Sequence, residues 1–308
     1  MEGRRVRFLF LIPSLLLILM AQKARSQNSN PSEEKVAAAK SRGSRSSRQS
    51  LSPAASAWVE STLGKMTVDE KIGQLLFTTY YGGFTATDSP AYQQLLHNVQ
   101  DLHVGGFIVI THGSPLGILK SQAYPTAVLA NQLQAKSKLP LLIGADFERG
   151  TAMRYDEGTS FPTAMAVAAG GNPKDAYTMG KITAAEARAT GVNWVYAPDS
   201  DVNNNPANPI INTRSFGENP QRVGEFATAF IKGVEDGGAL ATAKHFPGHG
   251  DTAADSHIDL PVIPASRGKS PSRCAARKNQ RSRALYRRYK GPHPIAFWPR
   301  GSFQLCPW

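Results

Sequence analysis

The sequence predicts an α/β fold of the parallel (β/α)8-barrel type, incomplete, with about five of the eight strands. Three observations point there. Short apolar runs bounded by turn residues alternate with helix-patterned stretches, as βαβ units of a parallel sheet require. Charged residues recur just past the ends of those runs: Asp146 and Glu148, Asp199 and Asp201, Lys244 and His245. A barrel places its functional face at those strand ends. A doubly wound sheet shows similar alternation, but no glycine-rich phosphate fingerprint follows the first strand.

Order begins near Trp58. Thr67, with Glu70 three residues later, forms a capping box that opens a helix. A strand is expected over Leu75–Thr79 and another over Gly106–Ile110. Pro125–Lys138 reads as a helix and Leu139–Gly144 as a strand. The Ala-rich stretch Pro173–Thr190 is helical, and Val192–Ala197 is a strand. Pro220–Asp236 is a helix stopped by Gly237-Gly238, and Ala239–His245 is the last strand. No repeat with a period of about 20–50 residues is present.

The formal net charge of +12 belongs to the two ends. Residues 1–50 hold ten Lys/Arg against three acids, and residues 266–308 hold eleven against none. The middle, 51–265, is acidic, with 14 basic and 20 acidic residues. A basic folded face is therefore not supported, and nucleic acid is excluded as a partner. Arg4, Arg5 and Arg7 precede an apolar run from Phe8 to Met20, the pattern of a secretory signal over residues 1–26. An uncleaved anchor is the alternative, and only through it would the chain meet a membrane. The expected location is periplasmic or extracellular. Residues 27–56 are rich in Ser, Lys, Arg and Ala and read as a disordered linker. The partial barrel domain is expected over 57–265. Both cysteines, Cys274 and Cys306, lie beyond it, so the domain needs neither disulfide nor thiolate.

The segment KHFPGHGDTAADSH packs Lys244, His245, His249, Asp251, Asp255 and His257 into fourteen residues. Such a density of titratable groups on a glycine-containing loop after a strand marks a functional site. Two chemistries compete. His245, His249 and His257 with Asp251 or Asp255 offer metal ligands, but Pro247, Gly248 and Gly250 forbid the helix on which an i, i+4 histidine pair shares one ion. In the other, Asp255 accepts from one nitrogen of His257 and leaves the second to move a substrate proton. Asp255 capping a turn is the bland alternative.

KHFPGHGDT followed by DSH resembles the signature of the β-N-acetylglucosaminidase branch of glycoside hydrolase family 3. DFERG from Asp146, FPTAMA from Phe161 and APDSDVNNNPANPIINTRSFGENP from Ala197 agree with it in order. The resemblance covers about Leu63 to Pro264. It implies a barrel that binds a terminal N-acetylglucosamine of peptidoglycan or chitin-type fragments and needs no cofactor or metal. It assigns Asp146 to the sugar hydroxyls, with Arg154, Arg214, Lys244 and His245 completing the cradle. Asp255 and His257 become the acid/base dyad of a retaining mechanism. Plainer readings stand beside these: Arg214 paired with Glu218, Arg154 as a surface charge near Asp156 and Glu157, Asp146 capping a turn, Glu148 structural. The alternatives in function are another β-glycosidase, a β-N-acetylglucosaminide phosphorylase, or a non-catalytic glycan-binding module.

Two features depart from the family. DFERGTAMR carries Phe147, Arg149 and Ala152 where relatives commonly have Gln, Gly and Gln. The nucleophile, an Asp on a later strand in a context like TDAL, has no counterpart, since the last acid is Asp259. After Pro264 all periodicity stops. Residues 266–308 read as a non-native basic tail, the chain as truncated, and the 308-residue polypeptide as inactive.

Overall fold

The computed structural model describes residues 51–262, apart from 115, 116 and 247. The run at residues 4–20, most of the linker, both cysteines and the basic tail lie outside the described residues.

Four helices begin with a capping side chain followed by proline, which presets the first-turn φ and needs no N–H partner. They are α1 (Pro53–Lys65, capped by Ser52), α3 (Pro90–Gln100, Ser89), α6 (Pro173–Ala189, Asn172) and α7 (Pro220–Asp236, Asn219). The Ser52-Pro53 start puts residues 53–56, assigned by composition to the linker, inside a helix. The short α2 (Val68–Gly73) carries the expected capping box, Thr67 and Glu70 bonding reciprocally. Glu70 also reaches Lys138 Nζ at 3.0 Å. α4 (Ala123–Lys136) starts two residues earlier than predicted, and α5 (Ala164–Ala169), capped by Thr163, is additional.

The strands β1 (Phe77–Tyr81), β2 (Gly106–Ile110), β5 (Leu142–Ala145), β6 (Trp194–Val195) and β7 (Leu240–Ala241) form one parallel sheet. A hairpin of β3 (His112–Ser114) and β4 (Gly117–Leu119) is inserted after β2. β1 lies two residues beyond the predicted window, and β6 and β7 are shorter than expected because the chain turns into the site loops. Within the sheet, strand order follows chain order. A doubly wound sheet reverses at a switch point; this one does not, which decides for the barrel type. The sheet is not closed among the described residues.

Curvature is visible in the side chains. Neighbouring strands stand about 4.8 Å apart, and two strands separate β1 from β6. Yet the Phe77 and Trp194 rings meet edge to face, 5.7 Å between centroids. Only a strongly curled sheet brings them together across its concave face. Two glycines make room there. A Cβ on Gly106 would lie 2.5 Å from the Phe77 ring, and one on Gly144 2.3 Å from the Tyr196 ring. On the convex face Phe107, Val109 and Ile143 are buried against Leu129 and Leu133 of α4 and the neighbouring helices.

α6 and α7 approach so closely that a Cβ on Gly180 would meet the Phe230 carbonyl oxygen at 2.3 Å, and one on Gly233 the Tyr177 carbonyl oxygen at 2.0 Å. Gly→Ala in an exposed helix adds roughly 1 kcal/mol of stability. Here Gly233→Ala is expected to destabilise by about 1–3 kcal/mol instead, through overpacking. Urea unfolding of the variant checks the sign; a raised midpoint would refute the close approach.

Candidate active site

The strand ends deliver their side chains to one place. Asp146 and Glu148 follow β5. Their loop is latched to α6 by Glu186, which accepts from the Thr159 N–H at 3.0 Å and from the hydroxyls of Thr151 and Thr159. Asp199 and Asp201 follow β6, and Lys244 and His245 follow β7. A bridge between Asp199 and Lys244 extends the β6–β7 pairing, and the Ser200 N–H donates to the Lys244 carbonyl at 2.5 Å.

Lys244 Nζ is the hub. It lies 2.8 Å from Asp146 Oδ1, 2.6 Å from Glu148 Oε1 and 3.8 Å from Asp199 Oδ1. Arg214 grips Glu148 with two prongs, Nε at 2.9 Å and Nη2 at 2.8 Å, the strong geometry for a guanidinium and a carboxylate. It does not pair with Glu218. Arg154 Nη2 donates to Asp146 Oδ2 at 3.0 Å. Three carboxylates and three cations thus close on one another. Their exposures differ: the side chain of Asp146 is 36% exposed, Glu148 10% and Asp199 0%. Asp146 is the carboxylate open to a ligand, and the other two hold the cations that flank it.

These environments separate the acids. Burial is the largest single influence and would raise Asp146 and Glu148, but the charge and hydrogen bond of Lys244 together with Arg154 on the first and Arg214 on the second outweigh it. Glu148 is held down at about 2. Asp199 goes the other way. Complete burial and the Glu148 charge push it up to about 7, and Lys244, Arg214 and His245 offset this only in part. Arg214 Nε is 3.0 Å from Asp199 Oδ2, but its hydrogen points to Glu148, and neither Asp199 oxygen receives an aligned hydrogen bond.

Asp201 organises the histidine segment. Its Oδ2 meets His245 Nδ1 at 2.7 Å, and its Oδ1 accepts from the His249 N–H at 2.6 Å. Asn208 Nδ2 donates to the His249 carbonyl at 2.7 Å, and Asn205 Nδ2 to the Asp251 and Thr252 carbonyls. A Cβ on Gly250 would meet the Val202 oxygen at 1.7 Å, so the loop can pass there only as glycine. His249 is buried against Thr252, and desolvation lowers its pKa and keeps it neutral. Beyond this root the chain opens out. His257 Nδ1 lies 2.7 Å from Asp255 Oδ1, which also accepts the His257 N–H at 2.9 Å. That backbone bond first, and the imidazole second, hold Asp255 below its ordinary value. The His257 side chain is 67% exposed. Asp255 therefore both makes a turn and orients the imidazole.

The three histidines have separate partners, and the metal set suggested by their spacing does not assemble. Asp199, Asp201 and His245 do offer ligand atoms within 4.8 Å of one another. Arg214 and Lys244, already against Asp199, oppose a cation there.

Of the residues singled out in the sequence, Asp146, Arg154, Arg214 and Lys244 converge, while His245 stands beside them on Asp201. Asp255 and His257 pair on the exposed loop. Sequence reasoning left Glu148 as structural and gave Asp199 and Asp201 no role. The signal was their spacing of two past a strand end, which places both side chains of each pair on one face.

Residues 67–269 match the glycosyl hydrolase family 3 N-terminal domain. The chain belongs to glycosyl hydrolase family 3. It is 35% identical over 202 residues to the β-N-acetylglucosaminidase/β-glucosidase of Cellulomonas fimi, covering 66% of this chain and 33% of that protein. Among solved structures it is similar to the family 3 β-N-acetylglucosaminidase of Paenibacillus sp. str. FPU-7, with 34% identity and a TM-score of 0.56 over 66% of this chain and 38% of that one. A β-glucoside phosphorylase bound to 2FGlc matches with 33% identity and a TM-score of 0.59, over 67% and 35%. The chain thus spans about a third of the length of these three proteins.

Asp199 gives a pH test with a defined sign. An unfolded Asp releases its proton near pH 4, whereas folded Asp199 keeps it to about 7. The stability this group contributes is full below pH 4 and is lost as pH rises to 7. Asn carries no such proton. Asp199→Asn is therefore expected to gain urea stability relative to the native chain between pH 4 and 8, and parallel stability curves would contradict the raised value.

Proposed function

We propose that this site binds a terminal β-linked N-acetylglucosamine of peptidoglycan or chitin-type fragments for retaining hydrolysis. The observation that carries the reading is Asp146, the one accessible carboxylate of the cluster, fixed between Lys244 and Arg154. A carboxylate so held accepts from two vicinal hydroxyls while the cations donate to neighbouring sugar oxygens. Arg214 and His245 complete the cradle by holding Glu148 and Asp201 and by presenting their remaining faces.

His257 is the acid/base in this reading. Its Nδ1 is committed to Asp255, which fixes the tautomer and leaves Nε2 to protonate the leaving oxygen and then to take a proton from water. A retaining reaction also needs a carboxylate nucleophile about 5–5.5 Å from a carboxylic acid/base in the usual plan. Asp259 is the last acid in the chain. Its Oδ1 caps the adjacent Leu260 N–H, and it sits one turn from the dyad rather than on another strand. The 308-residue polypeptide is therefore expected to bind sugar without turning it over.

Two measurements test this. N-acetylglucosamine is expected to bind the chain, and Asp146→Ala to weaken binding by more than about ten-fold, the loss of a charge-assisted pair; equal affinity would refute the role of Asp146. With a chromogenic N-acetyl-β-glucosaminide, the chain is expected to match its His257→Ala variant. Turnover above that control would place a nucleophile within these 308 residues.

Phosphorolysis is the second reading, favoured by the likeness to a β-glucoside phosphorylase. A histidine acid/base does not repel phosphate as a second carboxylate would. A sugar phosphate formed only in phosphate buffer, by a family 3 polypeptide that includes this domain, separates the two.

A further inference from the structure

We propose that Glu186 of α6 is a positioning residue for the sugar cradle: by tying the neck of the 150–159 loop it sets where Arg154 stands, and so how Asp146 is presented. Its effect on sugar binding rests on the assignment of Asp146 to the terminal sugar; its effect on Asp146 itself does not.

The guanidinium of Arg154 is lightly held. Nη2 donates to Asp146 Oδ2 at 3.0 Å, and Nη1 reaches the Met153 carbonyl only at 3.4 Å. Nε is buried and has no partner among the described residues. The place of this cation is therefore set by its backbone rather than by a network around its head.

That backbone hangs on Thr151. The Thr151 carbonyl accepts from the N–H groups of Arg154 at 2.9 Å and Tyr155 at 3.0 Å. Thr151 is 1% exposed, and its hydroxyl donates to Glu186. Thr159, across the neck, gives the same carboxylate both its N–H, at 3.0 Å, and its hydroxyl. Its carbonyl accepts from the Ala152 N–H at 3.3 Å. The two sides of the neck touch, since a Cβ on Gly158 would lie 2.4 Å from Thr151 Oγ1. The Ser121 N–H holds the Arg154 carbonyl at 2.7 Å. Residue 154 is thus fixed at both ends, and Glu186 governs the amide end through Thr151.

The chemistry asks for a carboxylate. Three donors converge on Glu186, and no Lys, Arg or His forms an ion pair with it among the described residues. Burial would raise its pKa, but the bonds from Thr151 and Thr159 lower it and keep it ionised. A carboxylate only accepts, so it orders all three donors in one sense. An amide in its place brings two donors of its own to a neck that already offers three.

The test uses the full 308-residue chain as Glu186→Gln, Arg154→Ala and the double variant. Two quantities are read: affinity for N-acetylglucosamine by calorimetric titration, and carbon-13 titration of the Asp146 carboxyl, assigned with Asp146→Asn. Burial raises Asp146, and Lys244 and then Arg154 lower it against the Glu148 charge. A displaced Arg154 therefore moves the carboxyl upward, while Lys244 keeps part of the depression. Glu186→Gln is expected to raise the Asp146 titration in the same direction as Arg154→Ala and to weaken the sugar about five-fold. In the double variant neither quantity should change beyond Arg154→Ala, because the two residues act in series. Thr159→Val, which removes one hydroxyl from the same carboxylate, should move both readouts in the same sense and decides the matter if Glu186→Gln does not fold; Thr159→Ser should keep the native values. In a folded Glu186→Gln, an unchanged Asp146 titration overturns the proposal. So does an unchanged sugar affinity where the native chain binds the sugar, or effects that add to those of Arg154→Ala. If the native chain binds no sugar, the assignment of Asp146 to the sugar falls, and the Asp146 titration still decides the role of Glu186.

Discussion

The ammonium of Lys244 lies against three carboxylates, two from the segment after β5 and one from the segment after β6. Strand ends some residues apart in a parallel sheet have no reason to converge beyond the curvature of the sheet itself. The lysine supplies one. Removing either partner of a buried ion pair leaves a charge whose desolvation is uncompensated, at a cost of about 3–5 kcal/mol. With Lys244 in place, Glu148 is free to hold Arg214, Arg154 closes on Asp146, and the carboxylate left under-bonded is Asp199. Complete burial and the nearby Glu148 charge push that carboxyl up to about 7.

The second constraint is how the loops are anchored. Asp201 and the side chains of Asn205 and Asn208 pin residues 249–252 against the segment after β6, and Gly250 passes where no Cβ fits. Asp255 and His257 lie past this root, held to each other and open to solvent. The arrangement divides the segment into a fixed part that shapes the sugar cradle and an outer part whose orientation is set locally. A group that must approach a glycosidic oxygen and then a water is well served by such a division, because the aspartate sets the tautomer wherever the loop stands.

Much of this was legible in the residues. The helix over Pro220–Asp236 was read to the residue, because Asn219, Pro220 and Gly237-Gly238 punctuate both ends. The strand over Gly106–Ile110 was equally plain as an apolar run between glycine and a turn. The later strands are shorter than their sequence pattern suggests, since Tyr196-Ala197 and Thr242-Ala243 are apolar or small yet leave the ladder for the site. α1 was missed in part because a Ser-Pro start looks like linker composition until the helix it caps is seen. The partner of Arg214 was not legible. Glu218 is four residues away in the chain and Glu148 sixty-six, and only the curl of the sheet decides between them. The same holds for Asp199, whose raised pKa depends on complete burial beside the Glu148 carboxylate, distant in the chain, rather than on its neighbours in sequence.

Lys244 keeps Glu148 ionised and the cluster assembled before any sugar arrives. Carbon-13 titration of the Glu148 carboxyl, assigned by comparison with Glu148→Gln, tests it most directly. In the native chain the resonance should show an ionised carboxylate down to about pH 2. In Lys244→Met, which keeps the packing of the stem and removes the charge, it should titrate within or above the ordinary glutamate range. A Glu148 titration that is the same in both proteins would contradict the account.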